Sequence, residues 1–71
     1  MIRLKVKEIA EQKKISMTRL SRIADVNYKT IRAMCDDPYR DVAYSTLVKV
    51  AGALKVRVED LAIVEPEESD G

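Results

Sequence analysis

Apolar positions recur along this chain at two periods, and the switch between them divides it into elements. Ile2, Leu4 and Val6 alternate with Arg3, Lys5 and Lys7, a period of two that predicts a short strand. From Val6 the spacing becomes Val6, Ile9 and Ala10, which predicts a helix running to about Lys13. Met17, Leu20, Ile23 and Ala24 then draw a single inward stripe, with Ser16 ahead of them as an N-cap whose oxygen accepts from the first backbone amides. Ile31 and Met34 predict a third helix from Tyr28 to about Cys35 with Asn27 as its cap, and Asp36, Asp37 and Pro38 stop it.

The second and third helices meet at Asp25. A break that tight calls for a residue at positive φ, where glycine is cheapest and aspartate is among the tolerated substitutes. Two helices joined in this way form a unit that presents its second helix outward. A fourth helix carries the stripe Tyr44, Leu47, Val50, Ala51 and Leu54. Gly52 inside it costs about 1 kcal/mol relative to alanine, and Ala43 offers no capping side chain, so this helix is expected to be frayed or slightly shifted. A short fifth helix is expected from Val58 to Ala62, because Glu59 and Asp60 favour an N-terminal turn before Leu61.

With 71 residues, the chain makes one small domain around one core. It has no histidine and a single cysteine, Cys35, so it carries neither a disulfide framework nor a zinc site, and the usual acid-base residue of catalysis is missing. No enzyme chemistry, cofactor or metal is expected, and Cys35 reads as a structural or idle thiol. No apolar run approaches the roughly 20 residues of a membrane helix, and the alternating basic start is unlike a secretory signal, so the expected location is cytoplasmic. Residues 65–71 have no apolar anchor. They read as a disordered acidic tail following a domain of residues 1–64, and the carboxylates Glu65, Glu67, Glu68 and Asp70 as solvated groups.

The formal net charge of +1 conceals a division. Residues 1–35 hold nine Lys/Arg against three Asp/Glu, a net +6, while residues 36–71 hold four against nine, a net −5. The basic half contains the helix pair, and a field of one sign over that half suits a polyanion.

At this point the pattern resembles the helix-turn-helix domains of lambdoid phage repressors and Cro proteins, the xenobiotic-response-element family of bacterial regulators. The likeness covers residues 4–62. It is carried by the run of residues 16–34, with Leu20, Ser21, Ala24, Asp25, Val26, Thr30 and Ile31 at the family's positions, and then by Ser45, Thr46 and Leu47, by residues 53–56 and by Glu59, Asp60 and Leu61. Ser21 stands where the family usually has alanine. Met17 replaces a glutamine that often touches the DNA backbone, Asp25 replaces the turn glycine, and Lys55 occupies a position often taken by the glycine that ends the fourth helix. The resemblance implies an all-α, compact bundle of five short helices. A pairing of the amino-terminal stretch around residues 2–4 with Ile63 and Val64 is added here as an expectation.

By the same resemblance, the start of the third helix and the turn after it reach base edges, which maps onto Asn27, Tyr28, Lys29, Arg32 and Ala33. The Lys29 ammonium can donate to guanine O6 and N7, Arg32 can do the same bidentately or clamp a phosphate, Asn27 and Tyr28 are expected to set the register on phosphates, and Ala33 can meet a thymine methyl. The blander account is that Lys29 and Arg32 only keep the helix soluble. Helix amino termini carry unpaired amides and partial positive charge. Met17 and Thr18, and Tyr44 and Ser45, are therefore expected to clamp phosphates, joined by Tyr39 and Arg40 from the loop between. Arg40 has the alternative of pairing with Asp36, Asp37 or Asp41. Lys13, Lys14, Arg19 and Arg22 supply diffuse attraction.

The function expected is a regulator that binds double-stranded DNA in a sequence-specific way, acting as a homodimer. Val58, Leu61, Ile63 and Val64 are the candidates for the dimer contact, or else for completing the monomer's own core. Two other classes stay open. One is an antitoxin-like protein-interaction module of the same fold, with a protein partner engaged through the acidic tail. The other is a non-specific nucleoid or RNA-binding protein.

Overall fold

The computed structural model describes residues 2–65. Its elements run β1 (Ile2–Leu4), α1 (Val6–Gln12), α2 (Met17–Ala24), α3 (Tyr28–Asp36), α4 (Tyr44–Leu54), α5 (Val58–Leu61) and β2 (Ala62–Val64). This is the expected five-helix bundle with a small antiparallel ladder, in which Ile2 faces Val64, Arg3 faces Ile63 and Leu4 faces Ala62. The expected pairing of the two ends of the domain is therefore present. Ala62 belongs to the ladder instead of the fifth helix, because the chain there extends to meet Leu4.

The core consists of apolar side chains drawn from all five helices and β1, and among the described residues no polar side chain is buried. Leu20, Ile31, Leu54 and Leu61 are fully buried, and Met34 nearly so. Burying a side chain of this size contributes about 1.5–3 kcal/mol each relative to leaving it exposed. Two expected core positions do not join. Ile23 is 50% exposed and Tyr44 69% exposed. Three residues correspond to about 300° on a helix. Ile23 therefore sits off the line through Met17, Leu20 and Ala24, while Tyr44 opens α4 one turn before Leu47, the first residue of that helix to reach the core.

Local chemistry sets the helix ends. Ser16 Oγ accepts from the Arg19 amide at 3.1 Å, and Asn27 Oδ1 from the Lys29 amide at 2.7 Å, each satisfying one of the amides a helix start leaves unpaired. Asp25 ends α2 in the left-handed region at φ 60, ψ 46, and Lys55 ends α4 in the same way at φ 60, ψ 42. Both take the place where glycine is cheapest. Lys14 is a third residue at positive φ, one that the apolar pattern does not signal. At Asp25 the turn is secured from inside. The Asp25 and Val26 amides both donate to the Ser21 carbonyl, and the Ser21 hydroxyl donates to the Val26 carbonyl at 2.8 Å.

α4 runs unbroken through Gly52 instead of fraying. Burial of Leu47, Val50, Ala51 and Leu54 along one side outweighs the local cost of the glycine. The ladder also ties the loop after α3 to the amino terminus: the Leu4 amide donates to the Pro38 carbonyl and the Lys5 amide to the Leu61 carbonyl, both at 2.7 Å. Cys35 is half-buried, and burial together with the adjacent Asp36 carboxylate pushes its thiol above its ordinary range. A thiol held neutral in this way is a poor nucleophile.

A methyl group at Gly52 would meet nothing within 4 Å. Gly52→Ala is therefore expected to stabilise the fold by about 1 kcal/mol, raising Tm by roughly 4–8 °C in thermal unfolding followed by circular dichroism; an unchanged or lower Tm contradicts an open, fully helical site. Ser21→Ala removes the hydroxyl bond that closes the turn. It is expected to cost about 1 kcal/mol in denaturant unfolding, and stability equal to that of the parent would show that the hydroxyl contributes nothing there.

Candidate nucleic-acid interface

α3 has two unlike faces. Ile31 and Met34 face the core, so Lys29, Arg32, Ala33 and Asp36 fall on the opposite side, within about 100° of one another around the axis. Lys29 and Arg32 are exposed and Ala33 is half-buried; Tyr28 flanks this face and is 39% exposed. Asn27 is exposed too, but its side-chain oxygen is already engaged by the Lys29 amide. It serves α3 first as a cap. Of the five residues expected to reach base edges, Lys29, Arg32 and Ala33 thus share the outer side of α3, Tyr28 flanks it, and Asn27 lies just ahead of the helix as its cap.

The expected phosphate contacts are distributed over the start of α2, the start of α4 and the loop after α3. Thr18, Tyr44 and Ser45 are exposed. The amides of α4's first turn have no side-chain cap, because Ala43 provides none; the Thr46 amide donates to the Ala43 carbonyl at 3.0 Å, which leaves those of Tyr44 and Ser45 directed out of the helix end. At α2 the Ser16 hydroxyl takes the Arg19 amide, so Met17 and Thr18 present the remaining first-turn amides. The Met17 side chain packs half-buried against the core, in a hollow shared with Ile15 and Cys35. Only its backbone is suited to an anion.

The loop residues divide. Tyr39 takes an Asx turn, its amide donating to Asp37 Oδ1 at 3.2 Å, and its hydroxyl donates to Glu65 Oε1, also at 3.2 Å. Arg40 is exposed, and among the described residues its guanidinium pairs with none of Asp36, Asp37 and Asp41. Asp36 instead pairs with Arg32, with Nε 3.6 Å from Oδ2. Of the two readings of Arg40, the phosphate contact is the one its surroundings leave open.

Three contributions are not visible from the stripe pattern. Asp36 reads in sequence as a helix stop and as a candidate partner for Arg40, yet its spacing of four from Arg32 signals the pair that forms. Ser21 reads in sequence only as a small residue, and no local signal reveals the carbonyl its hydroxyl reaches. Glu65, the first residue of the expected acidic tail, accepts from Arg3 Nε and Tyr39 at 3.2 Å each, while Arg3 Nη1 reaches Glu8 at the same distance. These contacts of Glu65 span 62 and 26 residues of chain, beyond the reach of any periodicity. The remainder of the tail lies outside the described residues.

Of the candidates for a dimer contact, Leu61 is fully buried and Val58 packs against the same core, so both serve the monomer. Val64 is 74% exposed, opposite Ile2 in the ladder. Among the described residues no helix is long and apolar enough to cross a membrane.

The fold has relatives. The chain superposes on a solved structure of a SinR protein/SinI protein complex with a TM-score of 0.73 at 21% identity, covering 79% of this chain and 54% of that one. It therefore spans about half the length of that neighbour, and the likeness speaks for the fold. Among curated proteins none matches the sequence. A family profile described as the Cro/C1-type HTH DNA-binding domain matches residues 5–67, a span that takes in all five helices and the α2–α3 turn. The chain belongs to the Cro/C1-type helix-turn-helix family of DNA-binding domains.

Proposed function

We propose that this chain is a transcriptional regulator that reads double-stranded DNA sequence-specifically, with α3 in the major groove. The observation that carries this is the outer face of α3, where Lys29 and Arg32 stand exposed while the opposite side is locked into the core by Ile31 and Met34. A rigid helix with two long donors on one side is suited to base edges, because its position costs little further ordering on binding. Lys29 donates to guanine, Arg32 to guanine bidentately, Ala33 meets a thymine methyl, and Asn27 and Tyr28 set the register. The start of α2 at Met17 and Thr18, the loop at Tyr39 and Arg40, and the start of α4 at Tyr44 and Ser45 grip the backbone.

A domain of this size buries limited DNA surface, so the proposal includes a homodimer that places two recognition helices about 34 Å apart on two half-sites. Val64 is the candidate for the contact that best fits, since Val58 and Leu61 are committed to the monomer core.

A second reading, a protein-interaction module of the same fold, draws on the acidic composition of residues 65–71 and on the SinR neighbour, whose solved structure is a complex with SinI protein. A chain ended after Glu65 keeps the Arg3 and Tyr39 contacts. If such a chain binds DNA as the full chain does but loses a captured protein, the partner reading gains.

The test starts from duplexes selected from a random library by the full chain. Binding to a selected duplex is expected to exceed binding to random duplex by about 10³-fold or more at physiological salt. Lys29→Ala and Arg32→Ala are each expected to weaken the selected complex about 5- to 150-fold with helicity unchanged. Equal affinity for selected and random duplex ends the specific reading, and unaltered affinity in both variants refutes the assignment of the face.

A further inference from the structure

We propose that Asp36 is a specificity-determining residue, which holds the Arg32 guanidinium for a base and penalises its use on a phosphate. The inference rests on the reading of Arg32 as a base-contacting residue.

Asp36 closes α3 on the same face as Lys29 and Arg32, seven residues and about 20° around the axis from Lys29, and its side chain is 68% exposed. A carboxylate in that place is disfavoured twice. It adds negative charge at the helix end that already carries a negative partial charge, and it faces a polyanion if α3 enters the groove. Folding offers little in return. Asp37 next to it caps the Tyr39 amide, whereas Asp36 caps nothing and its one ion pair among the described residues is with Arg32. That pair is solvent-exposed and has the basic residue first, the less favourable order on a helix.

The geometry of the pair points to its use. The contact is made through Nε, so the two terminal nitrogens, the fork that matches guanine O6 and N7, remain available. A side chain already held by one edge loses less freedom when the other edge meets a base. If Arg32 swings to a phosphate instead, Asp36 is left as an unpaired carboxylate against the backbone charge. The pair thus leaves the matched site little affected and weakens every mismatched one.

The test compares the full chain with Asp36→Asn, which keeps the shape and removes the charge. Both are measured against the duplex selected by the parent and against random duplex, over a range of salt, with helicity checked by circular dichroism. Asp36→Asn is expected to bind random duplex several-fold more tightly, with a salt dependence steeper by about one ion, and to lose about tenfold in the ratio of selected to random affinity. The base preference it loses is expected at the position that Arg32→Ala also flattens. In an Arg32→Ala background, Asp36→Asn is expected to change the ratio no further.

An unchanged ratio in Asp36→Asn, alongside a reduced one in Arg32→Ala, overturns this proposal and leaves the base contact standing. A ratio unaltered by Arg32→Ala overturns the contact and the proposal with it. If Asp36→Asn still shifts the preference at a cytosine when Arg32 is absent, Asp36 reads that base directly, and the holding role is overturned.

Discussion

The direction of α3 depends on a turn of three residues closed around Ser21. The Asp25 and Val26 amides converge on its carbonyl, and its hydroxyl returns to the Val26 carbonyl. The left-handed backbone at Asp25 carries a steric cost that glycine would avoid, and the hydroxyl offsets part of it with a bond that alanine in the same place could not make. Because Leu20 and Ala24 before the turn and Ile31 and Met34 after it share one core, the angle between α2 and α3 is held from both sides. A helix anchored in this way presents Lys29 and Arg32 without needing to be ordered by its target.

The loop after α3 depends on a different kind of constraint, one made by residues distant in sequence. Pro38 is bonded to β1 through the Leu4 amide, and Tyr39 is bonded to Glu65 just beyond β2. Glu65 also holds Arg3, which holds Glu8 of α1. Exposed ion pairs of this type contribute little stability singly. Their consequence here is positional, since they connect both ends of the domain to the segment that carries Tyr39 and Arg40.

What the sequence made legible, and what it did not, follows from how local each cause is. The five helices, the caps at Ser16 and Asn27, and the strained residue at Asp25 all follow from spacing and side-chain chemistry within a few positions, and each is present. The misplaced members of the stripes, Ile23 and Tyr44, have different causes. Ile23 is a matter of angle, since its offset from Met17, Leu20 and Ala24 carries it past the edge of the buried side, whereas Tyr44 is aligned with its stripe but precedes the part of α4 that the core covers. Gly52 misleads in the opposite sense, because its local cost is visible whereas the burial of Leu47, Val50 and Leu54 that overrides it is tertiary. At the site, the outer face of α3 follows from the inner one. The bonds of Glu65 and the Ser21 hydroxyl, by contrast, exist only once the chain is folded.

The charge division between the two halves of the chain acts through fewer residues than the sum over residues 1–35 implies. Arg3 is surrounded by Glu8 and Glu65, and Arg32 is paired with Asp36, so neither acts as an isolated positive charge at distances beyond a few ångströms. Lys13, Lys14, Arg19, Arg22, Lys29 and Arg40 are exposed, and none of them has an ion pair among the described residues. All lie at or near α2, α3 and the loop that follows. Lys7, Lys49 and Lys55 are exposed and without an ion pair among the described residues as well, so unpaired positive charge is densest around α2, α3 and the loop after it but is not confined there, while the charge of Arg32 is offset locally by its carboxylate. Under the proposed function, the unpaired set would draw the domain to any duplex, and discrimination among duplexes would fall to contacts made at close range.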